Sequence, residues 1–403
     1  MVSTASRVGT GNIIGVSTAL CLGGFGSVFW MWIIAIIGGA TAFIESTLAQ
    51  IYKKRGLNGS YGGPAYYIES ALKCRPLAVV FSILLILTYG VGFNMLASYN
   101  LQSTFSTYEF YNPTVTPWII GLILALIVGY CLFGGGNRII KVTGLLVPIM
   151  GVAYVLISLL VIVLNVTTIP QVFVRIFTEA FDFSAIFGGF SGSCVMYGIK
   201  RGLFSNEAGV GSAPNASASA DVKHPVKQGL VQILSVFIDT LLVCSATAFM
   251  CMCSGVEPSE ALSGAPYVQA SLSKVLGGFG PIFITVAMLL FAFTTLLGNL
   301  YYVNQSFNHI FKRDTGKLFN CIYYILASAV ILLGAGLPAG LLWDLADVTM
   351  GLMTIINVPV ILYLSKYAFR ALKDYNRQKK QGKDPVFIAE DIGLKTKTDY
   401  WQR

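Results

Sequence analysis

Charge is what this chain has least of. Asp, Glu, Lys and Arg make up 11% of its 403 residues, while 55% fall in the apolar class and the mean hydropathy is +0.71. A soluble domain carries ~25% charged residues, so there are too few polar groups to cover a water-facing surface. A soluble enzyme and a nucleic-acid binder are excluded. Histidine is scarcer still: His224 and His309 stand alone, and there is no HExxH pattern. Among the eight Cys only Cys251 and Cys253 are close, and no CxxC pair occurs. Metal-site, redox-motif and disulfide-scaffold readings therefore have no support, and isolated Cys in apolar helices read as small packing residues. An intramembrane enzyme would need a nucleophile–base pair or a metal cluster, and nothing here builds one, so neither an enzymatic activity nor a cofactor is expected.

What the chain has instead is a series of long apolar runs with charges bunched between them. A bilayer core of ~30 Å takes ~20 apolar residues per helix, so the chain reads as an all-α, polytopic membrane protein. A Gly-rich start over residues 8–21 leads into spans at 25–51, 77–102, 118–134, 142–166, 184–199, 230–253, 281–303, 318–333 and 345–364. That makes nine spans after an incomplete first one. Residues 59–72 are too short to cross and suit an amphipathic or re-entrant segment. Residues 1–366 form the transmembrane domain, and the charged segment 367–403 is expected to be a soluble, partly mobile tail. If the N-terminus begins in the cytoplasm, 22 of the 27 Lys and Arg lie in cytoplasmic loops and tail, while the opposite loops hold only Arg175 and Lys274. The basic excess of +9 is thus topological, and both ends are expected inside a multi-pass plasma-membrane protein.

Two Gly-punctuated polar stretches lie inside apolar segments: Val8-Gly9-Thr10-Gly11-Asn12 in the first helix, and Gly188-Gly189-Phe190-Ser191-Gly192-Ser193 in the sixth. Gly permits non-helical backbone, and a break at membrane depth is tolerable only where it lines a protein cavity or ion site. A pair of such breaks, five helices apart, marks a transporter with inverted repeats; alternatively the glycines serve close helix packing. Thr294 and Thr295, midway along the eighth helix, offer two hydroxyls to a hard cation or bond back to the preceding turn. Asn94 and Gln102 share a face of the third helix, either toward a substrate or as interhelical glue. Ionisable residues within a bilayer are functional by default. Asp239 is too deep to reach the surface and pairs with a cation, with a basic group near Lys200–Arg201, or sits protonated. Glu45 is near enough to its helix end to reach Lys53–Arg55. Glu207 is either a gate-closing partner of Arg201 or a structural cap.

Gly23-Gly24-Phe25-Gly26-Ser27-Val28-Phe29-Trp30-Met31-Trp32 resembles the signature of the alanine/glycine:cation (sodium:alanine) symporter family. Val8-Gly9-Thr10-Gly11-Asn12, Gly62-Gly63-Pro64, the run from Lys200 to Gly209, His224-Pro225-Val226-Lys227-Gln228-Gly229 and Ala292-Phe293-Thr294-Thr295 match that family's blocks in order. The resemblance covers residues 5 to 364. It implies the five-plus-five inverted repeat of leucine-transporter-like proteins, with repeats over about 1–166 and 180–366. It also implies a sodium site made by carbonyls of Ala5, Val8 and Phe291, hydroxyls of Thr294 and Thr295, and Asn12. Gly9, Thr10 and Gly11, with Asn94 and with Gly189, Phe190 and Ser191 opposite, would hold the substrate; Arg201, Glu207 and Asp239 would gate or couple. The chain departs from the family's pattern in three places. Met1 falls eight residues before Gly9, so the first helix is truncated at its N-terminus: either the true start lies upstream or this is an inactive, truncated form. Ala97 stands where a Gln is usual, and Val303-Asn304 where a Gly-Glu pair is usual.

The expected function is sodium-coupled symport of small neutral amino acids, alanine or glycine, by alternating access, with the sodium ion as co-substrate and the lipid bilayer as the surrounding partner. A larger substrate such as glutamine is the alternative, because Ala97 adds room. A passive channel is the rival from another class. It would require a continuous polar lining, against which the paired breaks argue. Oligomeric state is not encoded in any feature of the sequence.

Overall fold

The computed structural model describes residues 9–56, 59–134, 136–182, 193–312, 315–394 and 396–402. In lipid every backbone N–H and C=O must be satisfied within the protein, so helices dominate. After a single 3-10 turn, Thr10–Asn12, come α1 (Ile14–Gly23) and α2 (Ser27–Ile51). A short hairpin of β1 (Lys54–Gly56) and β2 (Gly59–Tyr61) leads to α3 (Pro64–Leu72), then to α4 (Arg75–Ser103) and α5 (Thr116–Phe133). α6 (Gly136–Leu164) bends by 75° into the amphipathic α7 (Ile169–Ala180). The second half holds α8 (Cys194–Asn206), α9 (Ala213–Ser217), α10 (Pro225–Cys253), α11 (Ala265–Leu276), α12 (Phe279–Phe311), α13 (Lys317–Gly336) and α14 (Ala339–Lys380).

Seven of these helices are long and apolar enough to cross a bilayer, and the bent α6–α7 pair brings the number to eight among the described residues. Together they make this a multi-pass membrane protein. The first and sixth expected spans are the short helices α1 and α8. The expected sixth span started at 184, but residues 183–192 lie outside the described set and α8 runs on to Asn206. Large apolar side chains turned outward, such as Leu126 at 64% and Leu326 at 60% exposure on α5 and α13, form an apolar outer surface of the kind a bilayer core suits.

Between helices in lipid there is little hydrophobic drive, so association depends on close backbone approach and on hydrogen bonds. α2 is the central strut and carries both α8 and α10 on its surface. At Gly198 of α8 a Cβ would lie 2.6 Å from the Ser27 carbonyl oxygen of α2. On the other side of the molecule, a Cβ at Gly334 of α13 would lie 2.3 Å from Cα of Met95 on α4. Two helices carry π-helical segments, Ile86–Gly92 in α4 and Phe237–Cys244 in α10. Such segments recur at functional sites, and the second contains Asp239.

The C-terminal segment differs from the mobile tail expected of it. α14 continues as a helix through Lys380, and the chain then folds back so that Phe387 and Trp401 are buried at 3% and 7% exposure. Its charge is offset locally: Asp384 meets Lys223 at 2.8 Å and Lys227 at 2.7 Å, and Asp399 meets Lys54 at 3.0 Å. Composition alone marks the segment as polar, but the few aromatic and aliphatic residues in it are enough to pack.

Gly334→Ala is expected to destabilise the protein by ~1–3 kcal/mol through overpacking. Gly351→Ala on α14, where a Cβ meets nothing within 4 Å, should stabilise by roughly 0.5–1 kcal/mol through the helix preference of Ala. Thermal unfolding of the two purified variants in detergent checks the opposite signs.

Candidate functional site

Two interruptions of helical backbone meet in the interior. In the first, Gly9 is extended (φ −147°, ψ −157°) and Thr10–Asn12 make one tight turn before α1 begins. In the second, α8 ends at Asn206 and the chain passes through Glu207 (φ 53°), Gly209 (φ 83°) and Gly211 (φ 93°) before α9. The left-handed region favours Gly at two of these three positions, and a non-Gly residue such as Glu207 held there costs on the order of 1–2 kcal/mol. The Glu207 carboxylate accepts a hydrogen bond from the Ser212 hydroxyl at 2.6 Å. The sequence placed the second break at residues 188–193, of which 188–192 lie outside the described set. Ser193 instead caps the start of α8, accepting from the Met196 N–H. Among the described residues, the interruption that the structure sets against the first one is 207–212.

Asn12 ties the first break to α10. Its Oδ1 accepts from the Gly9 N–H at 2.8 Å, closing the turn on itself. Its Nδ2 donates to Asp239, at 2.8 Å to Oδ1 and 3.2 Å to the carbonyl. The other carboxylate oxygen of Asp239 accepts from the Ser205 hydroxyl at 2.8 Å and from the Thr240 hydroxyl at 3.1 Å. Asp239 is fully buried, and a buried carboxylate is tolerated only when its oxygens are this well supplied with donors. One side chain thereby joins the break before α1, the end of α8 and the π segment of α10. From α4, Asn100 adds a longer contact to the Thr10 hydroxyl at 3.4 Å.

Beside this network lies a cavity lined by Gly9, Thr10, Gly11, Phe93, Phe204, Glu207 and Thr295. It is small, with room for one water molecule but not for an amino acid. Phe93 and Phe204 face each other at 4.5 Å between ring centroids, and Phe204 meets Trp343 of α14 at 4.9 Å. Gly11 has to be Gly for packing reasons, because a Cβ there would lie 2.9 Å from Cδ1 of Phe204. The Thr295 hydroxyl is buried at the cavity wall with no hydrogen-bond partner among the described residues. Its neighbour Thr294 bonds back to the carbonyls of Leu290 and Phe291, at 3.0 and 3.1 Å, leaving its oxygen lone pairs free to accept or to coordinate.

Of the residues singled out in the sequence, Gly9, Thr10, Gly11, Glu207 and Thr295 share the cavity, and Asn12 and Asp239 stand behind it. Ala5, Val8, Gly189, Phe190 and Ser191 lie outside the described residues. Asn94 is off the cavity wall: it accepts from Asn299 at 3.0 Å and donates to the Gly90 carbonyl at 3.5 Å, the interhelical reading. Gln102 accepts from Tyr111. Arg201, 2% exposed, pairs with Asp347 of α14 and lies 3.9 Å over the Trp343 ring, so its ion-pair partner is neither Glu207 nor Asp239. Glu45 turns inward rather than to Lys53–Arg55, accepting from the Gly209 N–H at 3.3 Å and from Asn357 at 3.0 Å. Phe93, Phe204, Ser205 and Asn100 are site residues that sequence reasoning missed. Phe204 and Ser205 sit inside the Lys200–Gly209 block, and their presence beside two glycines was the available signal.

A model of the sodium:alanine symporter family matches residues 1–389. The chain is 44% identical over 400 residues to a Bacillus subtilis (strain 168) protein named probable sodium/glutamine symporter GlnT, covering 99% of this chain and 82% of that one. It is 43% identical over 402 residues to the amino-acid carrier protein AlsT of the same organism, covering 100% and 84%. It is 35% identical over 389 residues to the sodium/alanine symporter AgcS of Methanococcus maripaludis, covering 94% and 84%. With these matches and the paired breaks around a buried polar cavity, the chain belongs to the sodium:alanine symporter family, whose members are membrane transporters and not enzymes.

Proposed function

We propose that this protein couples the entry of a small neutral amino acid to sodium, with alanine or glycine as substrate. The observation that carries the reading is the meeting of the two interruptions, 9–12 and 207–212, at a cavity with an unpartnered threonine hydroxyl. The N–H groups of Thr10 and Gly11 at the start of the helical turn suit a carboxylate, and freed carbonyls with hydroxyl oxygens suit a small hard cation. In this reading the sodium ligands are the carbonyls of Ala5, Val8 and Phe291 and the hydroxyls of Thr294 and Thr295, with Asn12 holding the turn. Gly189, Phe190 and Ser191 remain the opposite wall proposed from the sequence, and Phe204 and Glu207 join the lining from the described residues. Asn94 supports α4 from behind Phe93.

The proposed architecture is the five-plus-five inverted repeat, with repeats over about 1–166 and 180–366, the 367–403 segment on the cytoplasmic side, and both ends inside a plasma membrane. On this frame α8 is the outer half and α9 the inner half of an interrupted span. The cavity is too small for the substrate as it stands, so Phe93 and Phe204 have to part. The Arg201–Asp347 pair over Trp343 then acts as the outer closure, in place of the Arg201–Glu207 pair. Sodium drives the cycle only through different affinities for the outward- and inward-facing forms. The narrow aromatic walls favour alanine or glycine. Glutamine is the second reading, supported by the name of a 44% identical relative and by Ala97 where the family pattern has Gln.

The basic test is uptake into proteoliposomes under an inward sodium gradient. Labelled alanine uptake should saturate and collapse when choline replaces sodium; non-saturating flux indifferent to sodium would sink the symport reading, and stronger competition by glutamine than by glycine would favour the second substrate. Thr295→Ala should raise the half-saturating sodium concentration about tenfold, the equivalent of ~1.4 kcal/mol, with Thr295→Ser near wild type and surface level unchanged. Asp239→Asn leaves one N–H facing a donor from Asn12 or from Ser205 and Thr240, at a cost of ~1–3 kcal/mol. It should lower the sodium-driven uptake rate at least tenfold while the protein still elutes as a single species on size exclusion.

A further inference from the structure

The C-terminal segment is bound where the proposed transport cycle has to move. α9 ends in carbonyls that helix geometry leaves without intrahelical partners, and residues of α2 and the hairpin supply them. Gln50 donates to the Ser217 and Ala220 carbonyls at 2.5 and 2.9 Å, Lys53 to Ala220 at 3.2 Å, and Ser60 to Ala218 at 2.8 Å. The C-terminal segment covers these same groups from outside. Trp401 Nε1 donates to the Gln50 carbonyl at 2.7 Å. The Lys53 ammonium, 2% exposed at the side chain's residue, lies 4.7 Å over Tyr400 and 4.9 Å over Trp401. Asp399 holds the neighbouring Lys54 at 3.0 Å, and its carbonyl accepts from Arg55 at 3.0 Å.

The segment is itself braced at three points. The Gln378 side chain clamps Val386 in both directions, the Phe387 N–H donates to the Lys223 carbonyl at 3.0 Å, and the Ala389 N–H donates to the Trp401 carbonyl at 2.8 Å. Phe387 packs between His224 and Trp401, at 5.1 and 5.4 Å between ring centroids. These contacts reach β1, the end of α2 and the residues just before α10, and α2 is the helix on which α9 packs. Burial lowers the Lys53 ammonium pKa below its usual value, opposed by the charge of Asp221, and two aromatic faces and one carbonyl add to what keeps that charge in place.

We propose that residues 383–394 and 396–401 form an inhibitory strap that locks α9 against the end of α2 and so restrains opening of the cytoplasmic side. This rests on the reading of α9 as the inner half of an interrupted span. Release of the strap uncovers Lys53 and the Gln50 carbonyl, loosens the grip on the Ser217, Ala218 and Ala220 carbonyls, and frees α9 to move. The ligand of the groove is this chain's own aromatic–acidic end, Asp399-Tyr400-Trp401.

The test uses the full-length protein with Trp401→Ala, and Trp401→Phe as the variant that keeps the ring and loses the N–H donor. Backbone hydrogen exchange over residues 213–220 should quicken about tenfold in Trp401→Ala and less in Trp401→Phe, while exchange in α5 and α13 stays at the wild-type rate. Sodium-driven alanine uptake should rise several-fold in Trp401→Ala. Unchanged exchange at 213–220, faster exchange throughout the molecule, or local loosening accompanied by equal or slower uptake would each overturn the strap. If the wild-type protein shows no sodium-driven uptake, the transport reading fails, and the exchange measurement still decides whether the segment locks α9.

Discussion

Everything at the centre of this protein depends on one constraint, that backbone freed from a helix at membrane depth must find partners inside the protein. Two interruptions among the described residues, at 9–12 and at 207–212, are brought to the same cavity. Asn12 satisfies its own turn through Oδ1 and reaches Asp239 through Nδ2, while Asp239 in turn collects donors from α8 and from its own π segment. A carboxylate with no exposure becomes the fixed point to which both interruptions are referred. The cost of burying it is offset by donors that would otherwise be unpaired themselves.

α14 links the two ends of this arrangement. Asp347 takes Arg201 of α8 on one side of the cavity, and Asn357 donates to Glu45 and to the Gly209 carbonyl on the other. Ten residues of helix separate them, about 15 Å along the axis, enough to span the cavity. In the proposed cycle these are the contacts that must alternate, one set loosening while the other holds. The glycines of α8 that press its backbone onto α2 make that pair of helices a stiff unit, so the movement falls to the joints at 207–212 and at Gly9.

Much of this organisation was legible beforehand. Low charge and long apolar runs settle a helical membrane protein because no other backbone form is self-sufficient in lipid except a closed barrel, whose strands alternate in polarity. The first break was legible because Gly9 and Gly11 flank polar residues in an otherwise apolar stretch. The second was expected at residues 188–193, of which 188–192 lie outside the described set; the interruption seen at 207–212 went unread because left-handed backbone at Glu207, Gly209 and Gly211 leaves no compositional excess. The pairings that sequence proximity offered, Arg201 with Glu207 as one of two readings and Glu45 with Lys53–Arg55, are not those observed, because Asp347 and Asn357 arrive from 146 and 312 residues away.

By itself, the sequence determined the class of structure and the family, because hydropathy and glycine spacing act locally along the chain. Only the tertiary structure decided which polar groups face one another: that Thr295 rather than Thr294 opens onto the cavity, that Asn94 supports a helix instead of lining a wall, and that a charged C-terminal end is packed against the end of α2 and His224. Those outcomes depend on helix rotation and on contacts between segments hundreds of residues apart, and a pattern read along one dimension does not contain them.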